Sequence, residues 1–426
     1  MRRMPVYMLL LLFLCVLFTG CMNHKIEKPL ATDSKKKITL LHYFSGTLSG
    51  GLQEMVQTFN MNNNSYELVA TPLDHEAFKT SIGDTIASSR SPDLYSYWGG
   101  TRVASILEKI EPFDDAWNAA HLSDTVSSPV AAACTYNGKK YLLPITQHYV
   151  AFFYNKKIFT KVGIEPPTTW TEFQMACEKL KAAGITPISL GAREKWPAQF
   201  WFDYLLLRTA GYDYRQRLME GNASYADAPV RRVFNLWADL IEKGYFNTNP
   251  LQTSWDTGAT DDVFKGQAAM TLMGTWVIGQ YSDGNHKWQP GEDYDYFPFP
   301  IIDEGIPRYA LGPIDGLILS KNAVQKEGAK EALTYLASLT SLKAMSRGSG
   351  GFVPNTRVEE DFYSPMQQRM KKDIEQTPQW VFNYDLATPP PVATVGLNLF
   401  TEFLEFPEQR EDIITNTAVK IEALWK

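Results

Sequence analysis

Cysteine is scarce in this chain: four in 426 residues, with Cys15 and Cys21 inside the first 21. Cys134 and Cys177 alone are left for a folded region, which excludes a disulfide-stapled scaffold. Histidine is nearly as sparse, six and scattered. No HExxH pattern occurs, so no metal site is expected. A GxSxG nucleophile elbow is missing too, since Gly348-Ser349-Gly350 lacks its spacing. GxxxxGK[ST] and a strand-linked GxGxxG are absent, and no cofactor is expected. Past Phe18 no apolar run approaches the roughly 20 residues that span a bilayer. Positive charge is short as well. Without Arg2 and Arg3 the 41 basic residues fall to 39 against 47 acidic ones, a net charge of −8. The one basic cluster is Lys35-Lys36-Lys37. Nucleic-acid binding is therefore not expected. The lysine triplet reads as a solvated linker, with contact to anionic lipid headgroups the lesser alternative.

What is present begins at the N-terminus. Arg2 and Arg3 precede an apolar run from Val6 to Phe18, and Thr19-Gly20-Cys21 closes it. This is the pattern of a secretory signal peptide. Small residues just before a cysteine resemble the lipobox of bacterial lipoproteins. That resemblance implies cleavage after residue 20 and a lipid on Cys21. Residues 1–20 are then signal peptide and 21–37 a polar, lipidated tether. The alternative is an ordinary signal peptide or an uncleaved anchor. Either way, the folded part is expected outside the cytoplasm.

Cleavage before Cys21 leaves 406 residues, more than one core usually serves, so two domains are expected. Aromatics are abundant at 13%, with 11 Trp and 21 Tyr. Several sit in Gly/Pro-rich loops rather than on helical stripes. Ile38–Phe44, Tyr66–Thr71 and Pro92–Tyr97 read as strands. Leu52/Met55/Val56/Phe59, Phe78/Ile82/Ile86 and Val103–Ile110 read as the helices between them. Strand and helix alternate, as in a parallel α/β sheet. Tyr136-Asn137-Gly138-Lys139 marks a tight hairpin turn. Thr169-Trp170-Thr171-Glu172 matches a capping box, and Phe173, Ala176, Cys177 and Leu180 continue its apolar stripe. Trp170 and Trp237 are assigned to cap and core.

Four segments carry a family resemblance. One runs from Tyr141-Leu142-Leu143-Pro144 through Phe153-Tyr154-Asn155-Lys156 to Gly163, Pro166 and Thr169-Trp170. Another is Phe264-Lys265-Gly266-Gln267-Ala268-Ala269-Met270 with Gly274-Thr275-Trp276. Gly312–Ser320 and Gly350-Gly351-Phe352-Val353-Pro354 complete the set. In order and spacing they resemble the extracellular solute-binding proteins of carbohydrate ABC importers, the maltose-binding-protein-like group, over about 38–424. The resemblance implies a two-lobed α/β fold of the periplasmic-binding-protein type (type II), with a sugar cleft between lobes. It implies crossings near 145–149, 304–310 and 353–357. The N-terminal lobe is then 38–146 plus 310–354, and the C-terminal lobe 149–305 plus 356–424. Cys134 and Cys177 fall in different lobes, which favours two buried thiols over a bridge. The implied partners are a carbohydrate ligand, the permease subunits of an ABC transporter and, through Cys21, the membrane. A monomer is expected.

A sugar site needs planar aromatics for C–H faces and polar side chains for hydroxyls, placed on loops after strands. Trp276 matches the tryptophan that stacks on sugar in the family. Trp98 follows a strand, and Tyr43 and Ser45 end the first one. Glu194 and Trp196 share a loop before a helix. Asp315 lies near the second crossing, and Gln147 and His148 flank the first. Trp255, Asp256 and Trp380 are further candidates. A secreted glycosidase would need two acids across a glycosidic bond, but no pair stands out, so no enzyme is expected. A third reading keeps the fold with a non-sugar solute such as a glycerol phosphate or polyamine. Arg102 and Arg193 are the residues that would favour an anionic one.

Overall fold

The computed structural model describes residues 34–283 and 285–426. Cys21, the signal segment and most of the tether lie outside the described residues.

Apolar alternation makes β1 (Lys36–His42), where Ile38, Leu40 and His42 face inward. Leu52, Met55, Val56 and Phe59 form the buried stripe of α1 (Ser49–Asn62). β2 (Tyr66–Pro72), α2 (His75–Ala87, capped by Asp74) and the fully buried β3 (Leu94–Trp98) follow. Next in the chain come β4 (Leu143–Gln147), β5 (Val150–Asn155), α3 (Trp170–Ala182) and β6 (Thr186–Ile188). Then come α4 (Gln199–Thr209), β7 (Ala268–Gly274), α5 (Trp276–Tyr281) and β8 (Tyr294–Phe297). β9 (Ile314–Ser320) and α6 (Leu339–Ser349) precede a mostly helical C-terminal region.

The strands form two main sheets, one per lobe. The first runs β2-β1-β3-β9, with Ile110–Glu111 beyond β9 and β4 also paired to it. The second runs β8-β5-β7-β6. The parallel arrangement expected from the sequence holds for β1, β2 and β3. It fails at β9, which is antiparallel to both β3 and β4. β9 re-enters the first sheet after the chain has built the second, so its direction is not fixed by a local βαβ crossover. The second sheet is mixed for a similar reason: β5 is antiparallel to β7 and β8.

Two other expectations need correction. The tether does not extend to residue 37, because Lys36 and Lys37 pair with Tyr66 and Glu67 as the start of β1. The helix expected over Val103–Ile110 is only Thr101–Ala104 plus one 3₁₀ turn, since Ile110 is drawn into the sheet beside Ser320. Cys134 and Cys177 are buried free thiols, the state the sequence favours.

The passages between the sheets meet in one place. β4 ends at Gln147 in the first sheet and β5 starts at Val150 in the second. Gln147 exchanges backbone hydrogen bonds with Phe352, and His148 N–H donates to the Pro313 carbonyl. A Cβ on Gly312 would lie 1.7 Å from the His148 carbonyl oxygen, and one on Gly351 would lie 2.0 Å from Thr146 Oγ1. Glycine at 312 lets two backbones approach this closely, and glycine at 351 leaves room for the Thr146 and His148 side chains.

Candidate functional site

Between the lobes lies a cleft of about 440 Å³ walled by residues from both. On the first lobe, parallel β1 and β3 end side by side and deliver Tyr43 and Trp98 to one spot. Their rings stack with centroids 4.1 Å apart and a 9° tilt. The Tyr43 hydroxyl donates to Asp315 Oδ1 at 2.6 Å. Asp315 is on β9, in register with Trp98. Burial pushes its carboxyl up to about 7, against the pull of the Tyr43 hydrogen bond. His148 Nε2 lies 3.6 Å from Asp315 Oδ2. Burial lowers this imidazole to about 3, so it is neutral at pH 7. Its Nδ1 is 2.9 Å from Thr275 Oγ1.

The second lobe contributes three tryptophans. Trp196 lies 5.8 Å from both Trp255 and Trp276, and those two are 6.4 Å apart, all tilted or edge-on. Trp276 begins α5 directly beyond β7. Its six-membered ring lies on Gly274, where a Cβ would come within 2.1 Å of it. Trp196 is aimed by a γ-turn. Lys195 has φ +64° and ψ −48°, and Trp196 N–H donates to the Glu194 carbonyl at 2.7 Å. This positive-φ form is strained for any residue with a Cβ, and such strain gathers at functional sites.

A third wall is the segment 383–386. Tyr384 N–H donates to Asp203 and Asp385 N–H to Gln199, both at 2.8 Å. The Asp385 carboxylate meets Arg102 of the opposite lobe at 3.1 Å. Burial would raise Asp385, but Arg102 and Lys79 outweigh it and hold the carboxyl below its ordinary range. At the other end His286 bridges Asp283 at 2.9 Å and Asp261 at 3.1 Å.

Four buried polar atoms of cleft residues have no protein partner: Nε1 of Trp196, Nε1 of Trp276, Oε1 of Gln280 and Oδ1 of Asn383. Two are donors and two acceptors. Buried polar groups are normally paired, and each left without a partner costs about 1–3 kcal/mol.

Of the residues expected from sequence, Trp276, Trp98, Trp196, Tyr43, Ser45, Asp315, His148, Trp255 and Asp256 all line the cleft. Trp98 has one face covered by Tyr43. Glu194, Gln147 and Trp380 are not among the lining residues. Glu194 is held by Arg193 at 2.7 Å and accepts from Trp255 N–H at 3.3 Å, which ties the two tryptophan loops together. Gln147 spends its backbone on Phe352 and Ile314. Trp380 pairs with Ala310, and its Nε1–H donates to the Gly312 carbonyl at 3.1 Å. Arg102 and Arg193 are each matched by a carboxylate. Sequence reasoning missed Lys79, Gln199, Gln280, Asn383 and Asp385. Gln280 is four residues beyond Trp276 and so on the same helical face, a usable signal. Lys79 adjoins the Phe78 stripe and reads as solvent-facing.

Two α/β lobes around a cleft of this size define a periplasmic-binding-protein-like receptor. Residues 45–340 match the model for bacterial extracellular solute-binding proteins, and the chain belongs to that family of binding proteins. An uncharacterized ABC transporter extracellular-binding protein of Pyrococcus horikoshii is 27% identical, covering 86% of this chain and 83% of the relative. The multiple sugar-binding protein of Streptococcus mutans is 24% identical over 84% of this chain and 83% of its own. Among solved structures, the bacterial solute receptor AcbH, described as exclusively preferring β-D-galactopyranose, superposes with TM-score 0.85. It is 23% identical, over 92% of this chain and all of that one, a likeness of fold.

Proposed function

We propose that this protein captures a mono- or oligosaccharide outside the cell and delivers it to an ABC permease by hinge closure. The observation that carries this is the set of unpaired donors and acceptors beside three tryptophans in the interlobe cleft. Sugar hydroxyls both donate and accept, and sugar C–H faces pack on indoles. The protein acts by binding rather than catalysis and returns its ligand unchanged. Arg102 and Arg193 offer a phosphorylated solute little, because each is already matched by a carboxylate, Asp385 and Glu194. In this reading the lobes are 36–146 plus 310–354 and 149–305 plus 356–424. The nine lining residues foreseen from sequence, with Gln280 and Asn383, supply the contacts. Cys21 carries the lipid that holds the monomer at the membrane, and the permease reads the rims of both lobes.

The test is thermal unfolding of the mature chain across mono- and oligosaccharides, phosphorylated sugars and polyamines, with calorimetry on each hit. A ligand that binds only the folded state adds about 2.7 kcal/mol at a hundredfold excess over Kd. Stabilisation by one sugar class, lost in Trp276→Ala, is the expected result. A shift with phosphorylated or cationic ligands alone would reassign the solute. New reducing ends in the recovered sugar would reassign the protein as an enzyme.

A further inference from the structure

Lys79 stands on α2 one turn after its Asp74 cap, which accepts from the Glu76 and Ala77 amides at 3.0 Å. Its side chain is 15% exposed and lines the cleft. The nearest anionic oxygens are Glu76 Oε1 at 3.7 Å and Asp385 Oδ2 at 3.9 Å. Both lie beyond hydrogen-bond length. They balance the ammonium's charge without filling its three donors. Two indoles hem it in: Trp98 of its own lobe with ring centre at 5.7 Å, and Trp196 of the other at 5.8 Å. A π face attracts the cation but offers no lone pair. The remaining direction is the cleft.

An ammonium accepts nothing, so this corner is satisfied by a lone-pair acceptor, which on a saccharide is a hydroxyl or ring oxygen. A second cation placed here would meet like charge. We propose that Lys79 is a specificity-determining ligand contact, donating to a hydroxyl or ring oxygen of the bound saccharide and rejecting one that carries a protonated amine at that position. The inference rests on the proposed function. Lys79 comes from the first lobe while Trp196 and Asp385 come from the second, so the full contact set exists only when the lobes meet.

The experiment is calorimetry with the sugar that binds the wild-type chain, its monodeoxy analogues and its amino analogues. Wild type, Lys79→Met and Lys79→Arg are compared, with the unfolding midpoint of each free protein as the folding control. The expected result is that Lys79→Met keeps its fold and binds the parent sugar roughly tenfold or more weakly, the scale of one charge-assisted hydrogen bond. Lys79→Arg, which keeps a cation and its donors, retains most of the affinity. One deoxy analogue, weak on wild type, binds wild type and Lys79→Met alike, because the interaction it lacks is the one the mutation removes. Equal affinity of wild type and Lys79→Met for the parent sugar overturns the inference and leaves the proposed function standing. So does a uniform loss over every analogue. Should Lys79→Met unfold, the wild-type and Lys79→Arg arms still decide it: an amino analogue bound by both as tightly as the hydroxyl form overturns the inference. A wild type that binds no sugar overturns both.

Discussion

Asp315 and His148 face each other across 3.6 Å of buried space and titrate with opposite effects on stability. Burial raises Asp315 to about 7, so its contribution is full below the unfolded carboxyl range near 4 and is lost as pH rises toward 7. Burial lowers His148 to about 3, so its contribution is full above about 6.5 and is lost as pH falls toward 3. Tyr43 and Thr275 are neutral partners of this pair. Between about pH 4 and 6.5 the two slopes cancel. Asp315→Asn removes one of them. Unfolding in denaturant at a series of pH values should show the variant losing about 1.4 kcal/mol per pH unit more than wild type on acidification through that window. Parallel curves would refute the assignment. Gly274 gives a second residue-level test. A Cβ there would lie 2.1 Å from the Trp276 ring, and packed interiors do not absorb such an overlap without a shift. Gly274→Ala should therefore move the indole and weaken ligand binding about tenfold while the chain still folds, as read by calorimetry beside near-UV circular dichroism.

At the scale of elements, α4 decides where the third wall of the cleft stands. Asp203, inside α4, is fully buried, and its Oδ1 accepts from Arg215 Nη2 at 2.6 Å. Its other oxygen accepts from Tyr384 N–H, and Arg215 also donates to the Phe382 carbonyl at 2.7 Å. This buried pair thus pins the segment that carries Asn383 and Asp385. Removing one member leaves an uncompensated charge and costs about 3–5 kcal/mol. Asp203→Ala should lose that much in equilibrium unfolding and also bind ligand more weakly, although Asp203 itself does not line the cleft. Unchanged affinity in a folded variant would show the segment is held by other contacts. Such links explain what the sequence could and could not reveal. Stripes such as Leu52/Met55/Val56/Phe59 and the capping box at Thr169 and Glu172 are local codes, and they were legible. Tryptophans in loops after strands were legible for the same reason: nothing local calls for their burial. The direction of β9, the broken helix after Val103 and the cleft-facing role of Lys79 depend on partners hundreds of residues away. Glu194 lies in the tryptophan loop the sequence points to, but the backbone turn beside it and its hold on Trp255 set its role, and neither has a composition signal.

At the scale of the whole molecule, the chain passes from one sheet to the other beside Gly312 and Gly351, and the contacts across the cleft include an ion pair and neutral hydrogen bonds. Arg102 reaches Asp385 at 3.1 Å, and Thr101 Oγ1 donates to the Leu386 carbonyl at 3.0 Å. Closely gathered passages between two lobes that face each other across a cleft are the setting for hinge motion. The charged contact and the ligand then act on one equilibrium. A ligand that touches both lobes shifts it toward closure by its differential affinity for the closed form. The Arg102–Asp385 pair, largely buried and therefore weakly screened, favours closure without any ligand. Small-angle scattering separates the two effects. Saturating sugar should reduce the radius of gyration of the wild-type chain, and superimposable free and saturated profiles would sink the hinge mechanism. Asp385→Asn should expand the ligand-free protein and leave its unfolding cooperative, because the variant loses a cross-lobe ion pair while Gln199 still holds the Asp385 backbone amide. If the ligand-free variant scatters identically to wild type, the ion pair does not bias the lobes, and closure rests on the ligand alone.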